Sequence, residues 1–367
     1  MRESEVSARE KFECAACGSD AHWNPSKSAL VCPHCGTTNQ ATLDPQTGNV
    51  RESDLASALR NLPGSCRGWD VERLSVRCQS CKAVSVLAPS RVAQKCDFCG
   101  SAQVVPLEQI RAPIRPESVL PFKLGEPQVR EMVRAWYRNR WFAPSRLKQV
   151  AVTDTVKGVY LPYWTFDAFA HADWTAEAGY HYYETETYQD SNGQRQTRRV
   201  QKTRWEGASG SVEHFFDDEL VAASKGVDPG LLTKIEPFPT KELVPYDAGY
   251  VAGWVVEQYQ IDLLSAAQRS HGAMTQAMES MSASKVPGDT HRNLRVQVSF
   301  SRQTFKHTLL PVWLLTFCYG RKSYQLLVNG HTGEIAGKRP WSFVKLFFFV
   351  LALIAGCLLI ALAAQSR

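Results

Sequence analysis

A repeated cysteine pattern constrains this chain more than any other feature. "CAACGSDAHWNPSKSALVCPHC" (14–35) and "CQSCKAVSVLAPSRVAQKCDFC" (78–99) each carry two C-x-x-C pairs, and all four cysteine positions of the first copy recur 64 residues later. Four thiolates complete a tetrahedral Zn²⁺ site. The sequence therefore predicts two zinc ribbons, each holding one structural Zn²⁺ ion. The predicted ligands are Cys14, Cys17, Cys32 and Cys35 in ribbon 1, and Cys78, Cys81, Cys96 and Cys99 in ribbon 2.

The alternative for these cysteines is a disulfide framework. Met1 to Glu10 is polar and has no apolar run typical of a secretion signal, which favours reduced thiols and metal binding. A glycine follows three of the four C-x-x-C pairs, as the turn there favours, and Lys82 takes that place in the fourth. We read His34, between two predicted ligands, as a surface residue.

The motifs argue against catalysis. A zinc ion closed by four thiolates has no coordination position for water or substrate. The chain also lacks a phosphate-binding G-x-x-x-x-G-K-[ST] loop, H-E-x-x-H and a nucleophile elbow. His214, Asp217 and Asp218 in "EHFFDDEL" remain a weak alternative for a cation or acid/base site, and a solvated acidic turn is the simpler interpretation. We predict that the protein is not an enzyme.

An apolar run near the end of the chain indicates a membrane anchor. "LFFFVLALIAGCLLIALAA" (346–364) has no charge over nineteen residues, which predicts a transmembrane helix over 343–364 in contact with lipid; a buried core helix is the alternative. Lys338, Arg339 and Lys345 precede the run. By the positive-inside rule, we expect a single-pass protein of the bacterial inner membrane with its body in the cytoplasm.

The middle of the chain contains a weak second repeat. "TVKGVYLPYW" (155–164) and "TFKHTLLPVW" (304–313) share five of ten residues at an offset of 149. A helix-like segment precedes each copy, at 128–142 and 261–281, and strand-like segments follow. The first helix is amphipathic and basic; a solvated face is the simplest reading, with anionic lipid and nucleic acid as alternatives.

These features predict an α+β fold with two N-terminal zinc ribbons, a body formed by a duplicated unit of helix and antiparallel sheet, and one C-terminal transmembrane helix. The predicted divisions are ribbon 1 at 1–45, a linker with a short helix at 46–72, ribbon 2 at 73–105, a proline-rich hinge at 106–127, the body at 128–340 and the transmembrane helix at 343–364.

Several segments resemble an uncharacterised bacterial family of zinc-ribbon, or transcription-factor-IIB-type zinc-finger, membrane proteins. They are the two ribbons, "RWFAPSRLK" (140–148), "GVYLPYWTFDA" (158–168), "HFFDDELVAAS" (214–224), "LVPYD" (243–247), "TFKHTLLPVWL" (304–314) and "VNGHTGEIAGKRP" (328–340). The resemblance implies zinc binding and a membrane anchor. Some members are labelled primosomal helicases, but this chain lacks the phosphate loop of a helicase motor.

The leading functional hypothesis is a membrane-tethered cytoplasmic adaptor or scaffold whose ribbons bind another, unidentified protein. The alternative is a zinc-ribbon protein that binds nucleic acid at the membrane. Residues 1–110 carry equal numbers of basic and acidic side chains, which disfavours binding to phosphates. An enzyme of lipid or envelope precursors is the third class.

Overall fold

The fold was analysed in a computed structural model. It describes residues 14–39, 50, 52–60, 74–87, 95–106, 114–138, 140, 142, 144, 156–189, 194–319, 322–340 and 342–365. The predicted linker and hinge lie partly outside these residues, as does most of the segment 140–148. The predicted domain divisions stay predictions.

Strands dominate the fold. They account for 45% of the structure and helices for 24%, and one sheet contains twelve strands. In chain order the strands are β1 (His22–Asn24), β2 (Ala29–Val31), β3 (Thr38–Asn39), β4 (Ser53–Asp54), β5 (Leu74–Cys78), β6 (Val84–Leu87), β7 (Val104–Pro106), β8 (Ser118–Val119), β9 (Lys157–Gln189), β10 (Arg195–Ala222), β11 (Val244–Pro245), β12 (Val255–Glu257), β13 (Thr290–Tyr319), β14 (Lys322–Asn329) and β15 (Ile335–Gly337). The helices are α1 (Leu55–Arg60), α2 (Glu126–Arg138), α3 (Pro229–Ile235), α4 (Leu263–Lys285) and α5 (Phe343–Gln365), with a 3₁₀ turn at Thr240–Glu242.

The predicted fold class is therefore wrong. The expected α+β body of helices and separate antiparallel layers is instead one continuous sheet, and strands of ribbon 2 belong to it. The cause is long-range pairing: β9 and β13, 33 and 30 residues long, lie antiparallel at its centre. The helical periodicities were informative: α1 lies within the predicted linker at 46–72, and α2 and α4 overlap the helical segments predicted at 128–142 and 261–281.

The centre of the sheet has an internal two-fold arrangement that follows the weak sequence repeat. Leu161 of β9 lies opposite Leu310 of β13, its counterpart at an offset of 149. β12 pairs in parallel with β9 at Val159 and Tyr160, and β8 pairs in parallel with β13 at the counterparts, Thr308 and Leu309. Next to these strands, β6 pairs antiparallel with β12 and β11 pairs antiparallel with β8. The order β11-β8-β13-β9-β12-β6 is therefore symmetric about the pair β13 and β9.

The apolar helix faces pack on this sheet. Val129, Val133 and Tyr137 of α2 are buried with aromatic residues of β13, since they recur at helical spacing. Farther along β9, alternate alanines such as Ala170 and Ala172 face α4 and contact a cluster that includes Met274. The small side chains let the helix lie close to the strand.

The C-terminal helix requires a second correction. Within the described part of the chain, no helix combines the length and apolarity required to cross a membrane. The predicted transmembrane helix at 343–364, and the single-pass inner-membrane location with a cytoplasmic body that followed from it, are therefore wrong.

A buried histidine makes the stability of the sheet depend on pH. The His307 ring lies against Trp164, and its Nδ1 is 2.9 Å from the carbonyl oxygen of Ile114. Burial lowers the pKa of His307 from 6.5 to about 4, because the charged ring would lose its solvation. The unfolded chain therefore binds the proton more tightly, and the stability from the neutral ring is present above pH 6.5 and lost as the pH falls towards 4.

We expect this group to remove about 3 kcal/mol from the free energy of unfolding between pH 6.5 and pH 4. Urea unfolding of the wild type and of His307→Gln across this range measures the effect. The variant should lose less stability than the wild type over the same interval. Parallel curves would show that His307 does not titrate as its burial requires.

Candidate metal centres

All four C-x-x-C segments adopt the same backbone turn. The N–H of the fourth residue after each leading cysteine donates to that cysteine's carbonyl, at 2.8 to 3.0 Å for Cys14, Cys32, Cys78 and Cys96. Each leading cysteine's own N–H donates to the carbonyl of the fifth residue after it, at 2.7 to 2.9 Å. These paired bonds fix the two cysteines of each turn so that their sulfurs point to one side.

The sulfurs of each ribbon converge into one cluster. Each set of four lies within 4.8 Å of one another. The closest pairs are Cys14 with Cys35 at 3.4 Å, Cys17 with Cys32 at 3.5 Å, Cys78 with Cys99 at 3.5 Å, and Cys81 with Cys96 at 3.6 Å. The structure thus brings together all eight sequence-predicted ligands, in two groups that can each hold a metal ion.

These distances fit zinc better than disulfides. Four sulfurs at about 2.3 Å from a central Zn²⁺ are about 3.8 Å apart in a tetrahedron, close to the observed separations. A disulfide requires about 2.05 Å, and all eight cysteines are free. The donor set is sulfur alone and fills four positions, so the geometry fits a closed structural site.

The cysteine thiols of each cluster differ in pKa. The Thr37 hydroxyl, 3.1 Å from Cys35 Sγ, is the main cause that lowers the pKa of Cys35 to about 6. In ribbon 2, the hydrogen bond from Cys81 lowers the pKa of Cys96 to about 5, while the pKa of Cys81 is raised. The lowered pKa values of Cys35 and Cys96 favour a thiolate in each cluster, and a divalent cation would bind by displacing thiol protons.

The turn at Lys82 has the same conformation as the three glycine turns. Its φ is 67°, against 72° for Gly18, 74° for Gly36 and 72° for Gly100. A residue with a Cβ is strained in this left-handed region. Lysine at this position therefore lowers the stability of the folded protein, while the turn keeps the same geometry.

Lys82→Gly should raise the free energy of unfolding by about 1 kcal/mol, because glycine adopts this φ without the steric cost. Chemical denaturation of the zinc-loaded protein measures the gain. Lys82→Ala is the matched control: it also removes the bond from Lys82 Nζ to the Gln79 carbonyl, and it keeps the Cβ. Equal stability of the two variants would contradict the strain argument.

The second turn of ribbon 2 is buried against the large sheet. Phe98 is fully buried among Val159, Leu314 and their neighbours. Asp97 is also buried, and its Oδ1 is 2.7 Å from Lys157 Nζ at the start of β9. With β5 to β7 extending the sheet beyond β12, ribbon 2 is a structural part of the body.

The same turn of ribbon 1 is exposed. Pro33 and His34 occupy the places of Asp97 and Phe98 in the 64-residue repeat, and both lie in solvent with Cys35. Ribbon 1 instead contacts the body through its other side. There the Trp23 ring packs edge-on against Tyr250, and the backbone N–H of Trp23 donates to the Ala252 carbonyl at 3.2 Å. The sequence analysis identified His34 correctly as a surface residue.

This contrast was readable in the sequence. A phenylalanine between two zinc ligands favours a buried turn, whereas proline at the start of the other turn suits a solvated one. Because the two ribbons were predicted to be equivalent, the roles of Asp97, Phe98 and Lys157 were missed.

The weak cluster His214, Asp217 and Asp218 does not form a site. His214 lies edge-on to Phe216, while Asp218 occupies a bulge in β10 and pairs with Lys306 Nζ at 2.6 Å. Among the described residues, the two cysteine groups are the only clusters of three or more ligand-type side chains close enough to hold a metal. The buried Lys306 links this bulge to Glu52 at 3.1 Å, which is a structural role.

Comparison with known proteins yields one full-length similarity. An uncharacterized protein of Bacillus subtilis, YdjG, is 24% identical over 338 residues, covering 90% of this chain and 90% of its own length. The chain matches no family model. It also matches no solved structure.

Proposed function

We propose that the protein is a zinc-dependent adaptor that binds another protein through ribbon 1, while ribbon 2 and the large sheet hold that ribbon in place. The observation that carries this proposal is the contrast between the ribbons at equivalent positions. Pro33, His34 and Cys35 are exposed, whereas Asp97 and Phe98 are buried in the body. Ribbon 1 is therefore a small metal-stabilised module with an exposed surface, which suits it to the recognition of another protein.

The chemistry of both sites supports binding over catalysis. Zinc held by these eight thiolates would act as a structural cross-link, because four sulfur ligands leave no position for a substrate. Structural zinc contributes on the order of 10 kcal/mol to small modules of this kind. The ion would let a short chain with few apolar residues present a rigid surface.

A site-specific crosslinker tests the proposal in the intact protein. A photo-crosslinking residue at position 34 should give discrete protein adducts in cells, and one at position 80 should not. Ser80 is the control, since it is exposed in a turn of ribbon 2. The adducts at position 34 should disappear when Cys14 and Cys17 are replaced by serine; adducts that persist, or a pattern identical at both positions, would contradict the proposal.

A further inference from the structure

The hairpin of β9 and β10 projects beyond the rest of the sheet. β13 pairs with β9 only as far as Gly179, where Thr290 lies opposite. From there Tyr180–Gln189 pairs with Arg195–Arg204 as a two-stranded ribbon, here called the arm. Ten residues at about 3.4 Å each extend it by about 34 Å.

The two faces of the arm differ in charge. On the even-numbered face, Glu184 pairs with Lys202 at 2.7 Å and Glu186 pairs with Arg198 at 3.1 Å. The odd-numbered face carries no carboxylate; its residues are His181, Tyr183, Thr185, Thr187, Gln189, Arg195, Thr197, Arg199, Gln201 and Thr203. Its arginines therefore lack the ion pairs that neutralise the opposite face.

The odd-numbered face also has the composition of a protein-binding surface. The Tyr183 side chain is 57% exposed, and the Arg199 guanidinium lies over its ring at 4.8 Å from the centroid. This stacking orders both side chains in advance, which reduces the entropy lost on binding. Tyrosine and arginine, with tryptophan, are enriched at the energetic centres of interfaces.

We propose that the odd-numbered face of the arm docks an acidic surface of the partner protein. This inference rests on the adaptor function and adds a second contact to ribbon 1. Charge disfavours two other occupants. Two arms packed through their odd-numbered faces would place arginine against arginine, and nucleic acid would gain neutralisation of only about two phosphates from Arg195 and Arg199.

The test uses the full-length zinc-loaded protein and a fluorescein-labelled acidic peptide of about twelve alternating aspartate and serine residues. Anisotropy titrations at about 50 mM salt should show saturable binding. Arg195→Glu with Arg199→Glu should weaken it about tenfold or more, whereas Arg198→Glu with Lys202→Glu, an equal charge change on the other face, should weaken it far less. Tyr183→Ala should weaken binding while Tyr182→Ala does not.

Three outcomes would overturn the inference: no binding of the peptide, equal losses for the two charge-reversed pairs, or tighter binding to a labelled DNA duplex than to the peptide at the same salt. Circular dichroism and zinc content must match the wild type for each variant. The adaptor proposal fails separately, if position 34 gives no adducts. An arm that binds no peptide beside a ribbon 1 that crosslinks would remove this inference alone.

Discussion

Cys96→Ser should destabilise the whole body, whereas the equivalent Cys32→Ser should affect mainly ribbon 1. Cys96 precedes Asp97 and Phe98, which are buried against β9 and β13, and ribbon 2 supplies β5, β6 and β7 to the large sheet. Loss of the metal there would leave Phe98 and the carboxylate of Asp97 without a fixed position. Cys32 directly follows β2, which belongs to a separate three-stranded sheet.

We expect Cys96→Ser to lower the free energy of unfolding by about 4 kcal/mol or more, which is a large part of the 5 to 15 kcal/mol typical of a domain. For a body of this size that corresponds to a fall in melting temperature of about 10 °C. Calorimetry of the two variants beside the wild type measures it. A larger shift for Cys32→Ser, or equal shifts, would contradict the assignment of ribbon 2 to the body.

The two metal sites should also differ in kinetic stability. Cys17 and Cys35 of ribbon 1 are exposed, while every sulfur of ribbon 2 is at least partly buried. Release from ribbon 2 requires Phe98 to leave the core, which adds about 1.5 to 3 kcal/mol to the opening step. We therefore expect zinc to leave ribbon 1 at least about tenfold faster under excess chelator.

When zinc release is followed with a zinc-sensitive dye, we expect two kinetic phases of equal amplitude, one for each ribbon. Replacing Cys14 and Cys17 by serine should remove the fast phase and leave the slow one unchanged. A single phase in the wild type, or a fast phase that persists in that variant, would show that burial does not control release.

The two cysteine clusters were predictable because ligand spacing is a local property. A two-residue gap and a hydrogen-bonded turn bring two sulfurs together, and a repeat of 64 residues preserves the pattern. The helices α2 and α4 were predictable for the same reason, since their apolar residues recur at helical spacing. Each of these features depends on residues close together in the chain.

The sheet was not predictable because its pairings join distant residues. Lys157 reaches Asp97 across 60 positions, and Leu161 lies opposite Leu310. The offset of 149 indicated two related segments, but not that they lie side by side in one sheet. The apolar run at 346–364 led to a wrong prediction, because its length and its preceding basic residues were taken to indicate a spanning helix, and no described helix meets the requirements for one.

The central claim is that eight cysteines form two closed four-sulfur zinc sites. Zinc K-edge absorption spectroscopy combined with elemental analysis of the purified full-length protein tests it most directly. The expected result is two zinc ions per chain, each with four sulfur neighbours at about 2.3 Å and no lighter ligand. Fewer than two ions per chain, or nitrogen or oxygen atoms in the first coordination sphere, would contradict it.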